Sequence, residues 1–113
     1  MRRLMPLMLL LAACSKGPEA DLPSIGEARS LMAEWAMVNQ LAAEGKLTDP
    51  YVASMRKQLR ERLQSLESSL RQPDSNYADE IRAGLHEPAE ARSELLRRHA
   101  EKLKSMESVL ESA

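Results

Sequence analysis

The chain has 113 residues and a mass of 12.6 kDa, a length that allows one domain and excludes large two-domain enzymes. Its formal net charge of −1, from 16 Lys plus Arg against 17 Asp plus Glu, lacks the basic excess on which nucleic-acid binding draws. A single cysteine can close no internal disulfide and supply no zinc cluster, and a chain with only four Gly leans towards helix.

Met1-Arg2-Arg3 is a basic start, followed by an uncharged apolar run over residues 4–13. Ten residues of helix rise only ~15 Å, about half of a ~30 Å hydrocarbon core. Pro6 weakens any helix there, so the segment reads as a secretory signal peptide rather than a membrane span. It closes on Leu11-Ala12-Ala13-Cys14. That box resembles the lipobox of bacterial lipoproteins, where small residues precede a cysteine whose sulfur takes a diacylglycerol through a thioether. The resemblance implies removal of residues 1–13, lipidation of Cys14 and acylation of the new amine. Two or three acyl chains, at ~0.8 kcal/mol per buried methylene, anchor durably where one does not. Ser15, by the sorting rule of enteric bacteria, points to the outer membrane of a Gram-negative envelope, with the body facing the periplasm. Loss of Arg2 and Arg3 with the leader leaves the mature chain more acidic than the whole.

Residues 14–23 hold Gly, two Pro and charges and little apolar content, the composition of a flexible tether. Residues 24–113 form the folded domain. Ser24-Ile25-Gly26-Glu27 has the form of a capping box and predicts a helix start. Ala28, Leu31, Met32, Trp35, Val38, Leu41 and Ala42 then recur at three- and four-residue steps, and Gly45 supplies a stop. Asp49-Pro50 predicts a second start, with Val52, Met55, Leu59, Leu63, Leu66 and Leu70 on one stripe before Pro73. The short connection makes these two an antiparallel αα-hairpin. Asp74-Ser75-Asn76 is cap chemistry for a short helix over residues 77–83, stopped at Gly84. A long last helix runs from Pro88 nearly to the end, with Leu96, His99, Leu103, Met106 and Leu110 on its seam and Leu95 and Val109 widening it. The expected fold is all-α: a small three-helix bundle, with the short helix between the hairpin and the long C-terminal helix.

The candidate interface residues are Trp35, Arg56, Lys57 and Arg60. Tryptophan is enriched in interfaces, yet a lone Trp on an apolar stripe equally fills the core of a bundle that has no Phe. Arg56, Lys57, Arg60 and Arg62 cluster on the second helix, where they could meet anionic headgroups or a partner, or form a solvated face broken by Glu61 and Glu67. Asn39 falls near the seam of the first helix, where a polar residue fixes register. His99 reads as a core-edge residue with its polar end in water. His86 sits in a turn, and neither histidine has a partner at metal-ligand spacing, so no metal and no cofactor is expected. Met32, Met37, Met55 and Met106 read as gap-filling core residues rather than copper ligands.

The chain carries no G-x-S-x-G, phosphate loop, H-E-x-x-H or Rossmann glycine pattern, so no catalytic role is expected. The leading expectation is a lipid-anchored, non-enzymatic envelope protein that binds a protein partner at the membrane. The alternatives are a self-associating coiled-coil spacer, and a carrier for a lipid or small ligand within an opened bundle.

Overall fold

The structure is a computed structural model that describes residues 18–113. The expected signal peptide, the Leu11-Ala12-Ala13-Cys14 box and the expected lipidation of Cys14 lie outside the described residues. A 3-10 turn, Pro18–Asp21, leads into α1 (Leu22–Ala43). Three further helices follow: α2 (Asp49–Ser68), α3 (Asn76–Leu85) and α4 (Ser93–Glu111). No strand occurs among the described residues, and the expected all-α bundle, with its short third helix, is what forms.

Helix α1 takes the centre because it has the widest apolar face, burying eight residues against four on each of α2 and α4. Arg62 reaches Glu27 and Arg56 reaches Asn39, so α2 runs antiparallel to α1. Arg29 meets Glu107 and Gln40 meets Arg97, so α4 also runs antiparallel to α1, on its other flank. Helices α2 and α4 do not approach each other closely, and α3 fills the space between them, resting on both. Trp35, Ile25, Met32, Leu59, Leu63, Ile81, Leu96 and Leu103 are fully buried where these surfaces meet. Among the described residues, no helix is long and apolar enough to cross a membrane.

The hairpin turn follows its glycine. Gly45 has φ +70°, with its N–H donated to the Ala42 carbonyl at 3.0 Å and the Lys46 N–H to Leu41 at 2.9 Å, a Schellman closure that only an unhindered residue accommodates cheaply. Ser75 caps α3 as its sequence suggests, accepting from the Ala78 N–H at 3.2 Å.

Several boundaries differ from expectation. The tether does not extend to residue 23: the chain is folded from Pro18, and α1 begins at Leu22 with Pro23 in its first turn, leaving Ser24 and Glu27 inside the helix. The cause is Asp21. Its carboxylate is buried and accepts from the backbone N–H groups of Arg71 (2.9 Å) and Gln72 (3.0 Å) and from the Tyr77 hydroxyl (2.6 Å). Those N–H groups lie just past α2, so Asp21 joins the start of α1 to the end of α2 and the first turn of α3. Helix α2 starts at Asp49 with Thr48 as its cap residue and ends at Ser68, ahead of Pro73.

Gly84 does not stop α3 but lies inside it, because a Cβ there would stand 2.4 Å from Met32 Cε; the missing side chain lets α3 settle onto α1. The last helix starts at Ser93, since residues 88–92 form a turn whose carbonyls serve α1. Val109 is exposed rather than part of the seam, and so is Met37, which faces away from the core.

Asp21→Ala strands two amides and a hydroxyl and should lower unfolding stability by about 2–3 kcal/mol, read by urea titration of the full chain in detergent. Burial, with the Asp21 hydrogen bond next, pushes the Tyr77 phenol up to about 12 from its ordinary 10. A pKa raised on folding contributes stability that is full below the unfolded value and disappears as pH climbs through the folded one. Wild-type stability should therefore fall between pH 10 and 12 more steeply than that of Tyr77→Phe, a difference measurable by denaturant titration across that range.

Candidate functional site

The candidate site is a cleft of about 700 Å³ between α2, α3 and the connection that follows α3. Helix α2 contributes Arg56, Lys57, Arg60, Glu61, Gln64 and Glu67; α3 and its continuation contribute Arg82, Leu85, His86, Ala89 and Glu90. A smaller recess of about 370 Å³ shares Ala53, Arg56 and Glu90 with it and reaches towards Asn39, Val52 and Asp49.

Its wall on the side of the α3–α4 connection is supported from behind by α1. The Trp35 indole N–H donates to the Ala89 carbonyl at 2.9 Å, as a buried indole nitrogen must find an acceptor. Asn39 donates to that same oxygen at 3.0 Å and to the Ala91 carbonyl at 2.7 Å. The Asn39 carbonyl oxygen in turn accepts from Arg56 Nε at 2.7 Å. One buried amide thus holds the α3–α4 connection on one side and an α2 arginine on the other, and its register role extends to shaping the cleft.

Three of the four candidate interface residues line this cleft, and the fourth supports it from beneath. Trp35 is wholly buried, so its ring belongs to the core and meets nothing from outside. The Arg60 guanidinium carbon stands 5.5 Å from the ring centroid, within cation–π range. Arg60 Nε is buried with no hydrogen-bond partner, and neither Arg60 nor Lys57 forms an ion pair among the described residues. Arg82 differs: it is spent on Glu67 Oε2 (3.0 Å), Asp79 Oδ1 (3.0 Å) and the Pro73 carbonyl (2.6 Å). Arg62 points elsewhere, to Glu27 at 3.5 Å.

His99 is not solvated. Its ring is buried, with Nδ1 2.5 Å from Glu80 Oε2 on α3 and Nε2 2.9 Å from Glu87 Oε2 in the following turn. The two carboxylates take opposite edges of one imidazole and so tie α3 and its exit to α4. Among the described residues, no three His, Cys, Asp or Glu side chains are placed to hold a metal ion. Met32 is buried and Met55 and Met106 half-buried against the core, as gap-filling residues should be, while Met37 is 59% exposed.

Arg82, His86 and Glu90 as cleft residues were beyond sequence reasoning, because they reach α2 only once α3 folds back across it. Asp21 did leave a signal. Asp-Leu-Pro at residues 21–23 places an acid before a first-turn proline, as Asp49-Pro50 does. Comparison with protein-family models, with curated proteins and with solved structures found no match to this chain.

Asn39→Ala removes the shared support of the wall. It should cost about 2 kcal/mol of stability, and hydrogen exchange should show residues 86–92 opening well before the helices.

Proposed function

We propose that this protein is a lipid-anchored, non-catalytic module of a Gram-negative envelope that docks a protein partner through the cleft between α2 and α3. The observation that carries the reading is the pair Lys57 and Arg60: two cations at one concavity that form no ion pair among the described residues, one of them placed over a buried ring. Side chains held this way recognise charge.

The anchor half of the reading rests on the basic start, the apolar run and the Leu11-Ala12-Ala13-Cys14 box. Ser15 supports the outer membrane over the inner. Docking is favoured over a coiled-coil spacer because the α4 seam is already used, with Leu96 and Leu103 wholly buried. It is favoured over a lipid carrier because large side chains fill the space where the helices meet, while the open cleft has charged walls.

Cys14→Ser should move the protein from the membrane to the soluble fraction and abolish incorporation of labelled palmitate. A variant that still sediments with membranes and takes up the label refutes the anchor. A photo-crosslinker at position 57 should capture an envelope protein in cells, and failure to capture one refutes docking.

A further inference from the structure

We infer that the cleft receives an acidic segment of the partner, with a carboxylate of that segment seated on Arg60 and flanked by Lys57 and Arg56. The inference rests on the docking reading above and assigns the chemistry of what docks. Arg60 is the anchor point. Its guanidinium is held over Trp35, its Nε is buried without an acceptor, and it makes no ion pair among the described residues. A guanidinium fixed in this way has already lost most of its rotamer freedom, and its planar fork matches a carboxylate edge to edge. Arg56 is oriented from behind by Asn39, with its terminal nitrogens left for a ligand, and Lys57 is exposed beside it.

The walls select a peptide over a bilayer. A volume of about 700 Å³ falls within the range of ligand-binding clefts, whereas a headgroup surface is met best by a flat and uniformly basic face. Here Glu61, Glu67 and Glu90 share the lining with Gln64. Those carboxylates break the uniform positive field that an anionic bilayer surface calls for, and Glu61 and Glu90 can accept from backbone N–H groups on either side of the one carboxylate seated on Arg60. The recess past Arg56 prolongs the concavity, room for a segment rather than for one isolated anion.

The full chain in detergent micelles would be titrated with a capped, fluorescein-labelled glutamate-rich hexapeptide and with its glutamine counterpart, by anisotropy. The emission of Trp35, the only tryptophan in the chain, reports on Arg60 from directly beneath it. The glutamate peptide should bind roughly tenfold or more tightly than the glutamine one, with weakening at high salt. Arg60→Gln should erase that preference and Arg60→Lys keep part of it. Lys57→Glu, at an exposed residue that the fold does not use, should weaken binding severalfold with unchanged helicity.

Equal binding of the two peptides, no binding of either, or indifference to both the Arg60→Gln and Lys57→Glu substitutions overturns the inference. So does displacement of the glutamate peptide by phosphatidylglycerol vesicles in an Arg60-dependent manner, which assigns the cleft to a headgroup. Cellular capture from position 57 that ignores Arg60→Gln overturns the acidic-segment assignment while docking itself stands; loss of all capture ends both.

Discussion

The carbonyl oxygen of Ala89 accepts two hydrogen bonds from α1, one from the Trp35 indole and one from the Asn39 amide, and the rest of the molecule is arranged around that contact. A tryptophan that fills the middle of a small core brings a polar N–H with it, and an unpaired N–H there would cost on the order of 1–3 kcal/mol. The α3–α4 connection supplies the acceptor. In doing so it is held against α1, and the cleft lies on the side of that connection that faces α2. The need to satisfy one buried donor therefore couples the hydrophobic core to the shape of the cleft.

The charges of this fold fall into distinct groups. Arg29 with Glu107, Arg62 with Glu27 and Arg82 with Glu67 bridge neighbouring helices near the surface. Such pairs hold register more than they add free energy. Asp21 and His99 are different, since each is buried and each is satisfied by groups far away in sequence. Arg60 and Lys57 belong to neither group. They line the cleft without forming an ion pair among the described residues, beside the carboxylates of Glu61 and Glu90.

The helices were legible because burial leaves a periodic trace. The leucines at 59, 63 and 66 and the leucines at 96 and 103 are buried as their spacing requires, and Gly45 ends α1 through the positive φ that glycine tolerates. What escaped sequence reading was contact between distant parts of the chain. Gly84 reads as a helix stop until Met32 is seen across the gap, where a Cβ would collide. His99 reads as a solvated edge until α3 brings Glu80 and Glu87 to its two nitrogens. The acceptor for Trp35 and Asn39 is a backbone oxygen, and a carbonyl has no signature in the side-chain alphabet. The basic cluster at residues 56, 57 and 60 was visible as composition, but its concavity comes from α3 and the connection after it, and so was not.

The clasp made by Asp21 also sets a distance. With the chain folded from Pro18, four residue-to-residue steps separate it from Cys14, a reach of ~14 Å at full stretch. Trp35 lies fourteen residues up α1 from Asp21, ~21 Å along the helix axis. Under the anchor proposed above, a lipid on Cys14 would limit how far the cleft can stand from its leaflet. The clasp would then act as a ruler, and an acidic segment rooted in the same leaflet would have to present its carboxylates within that reach.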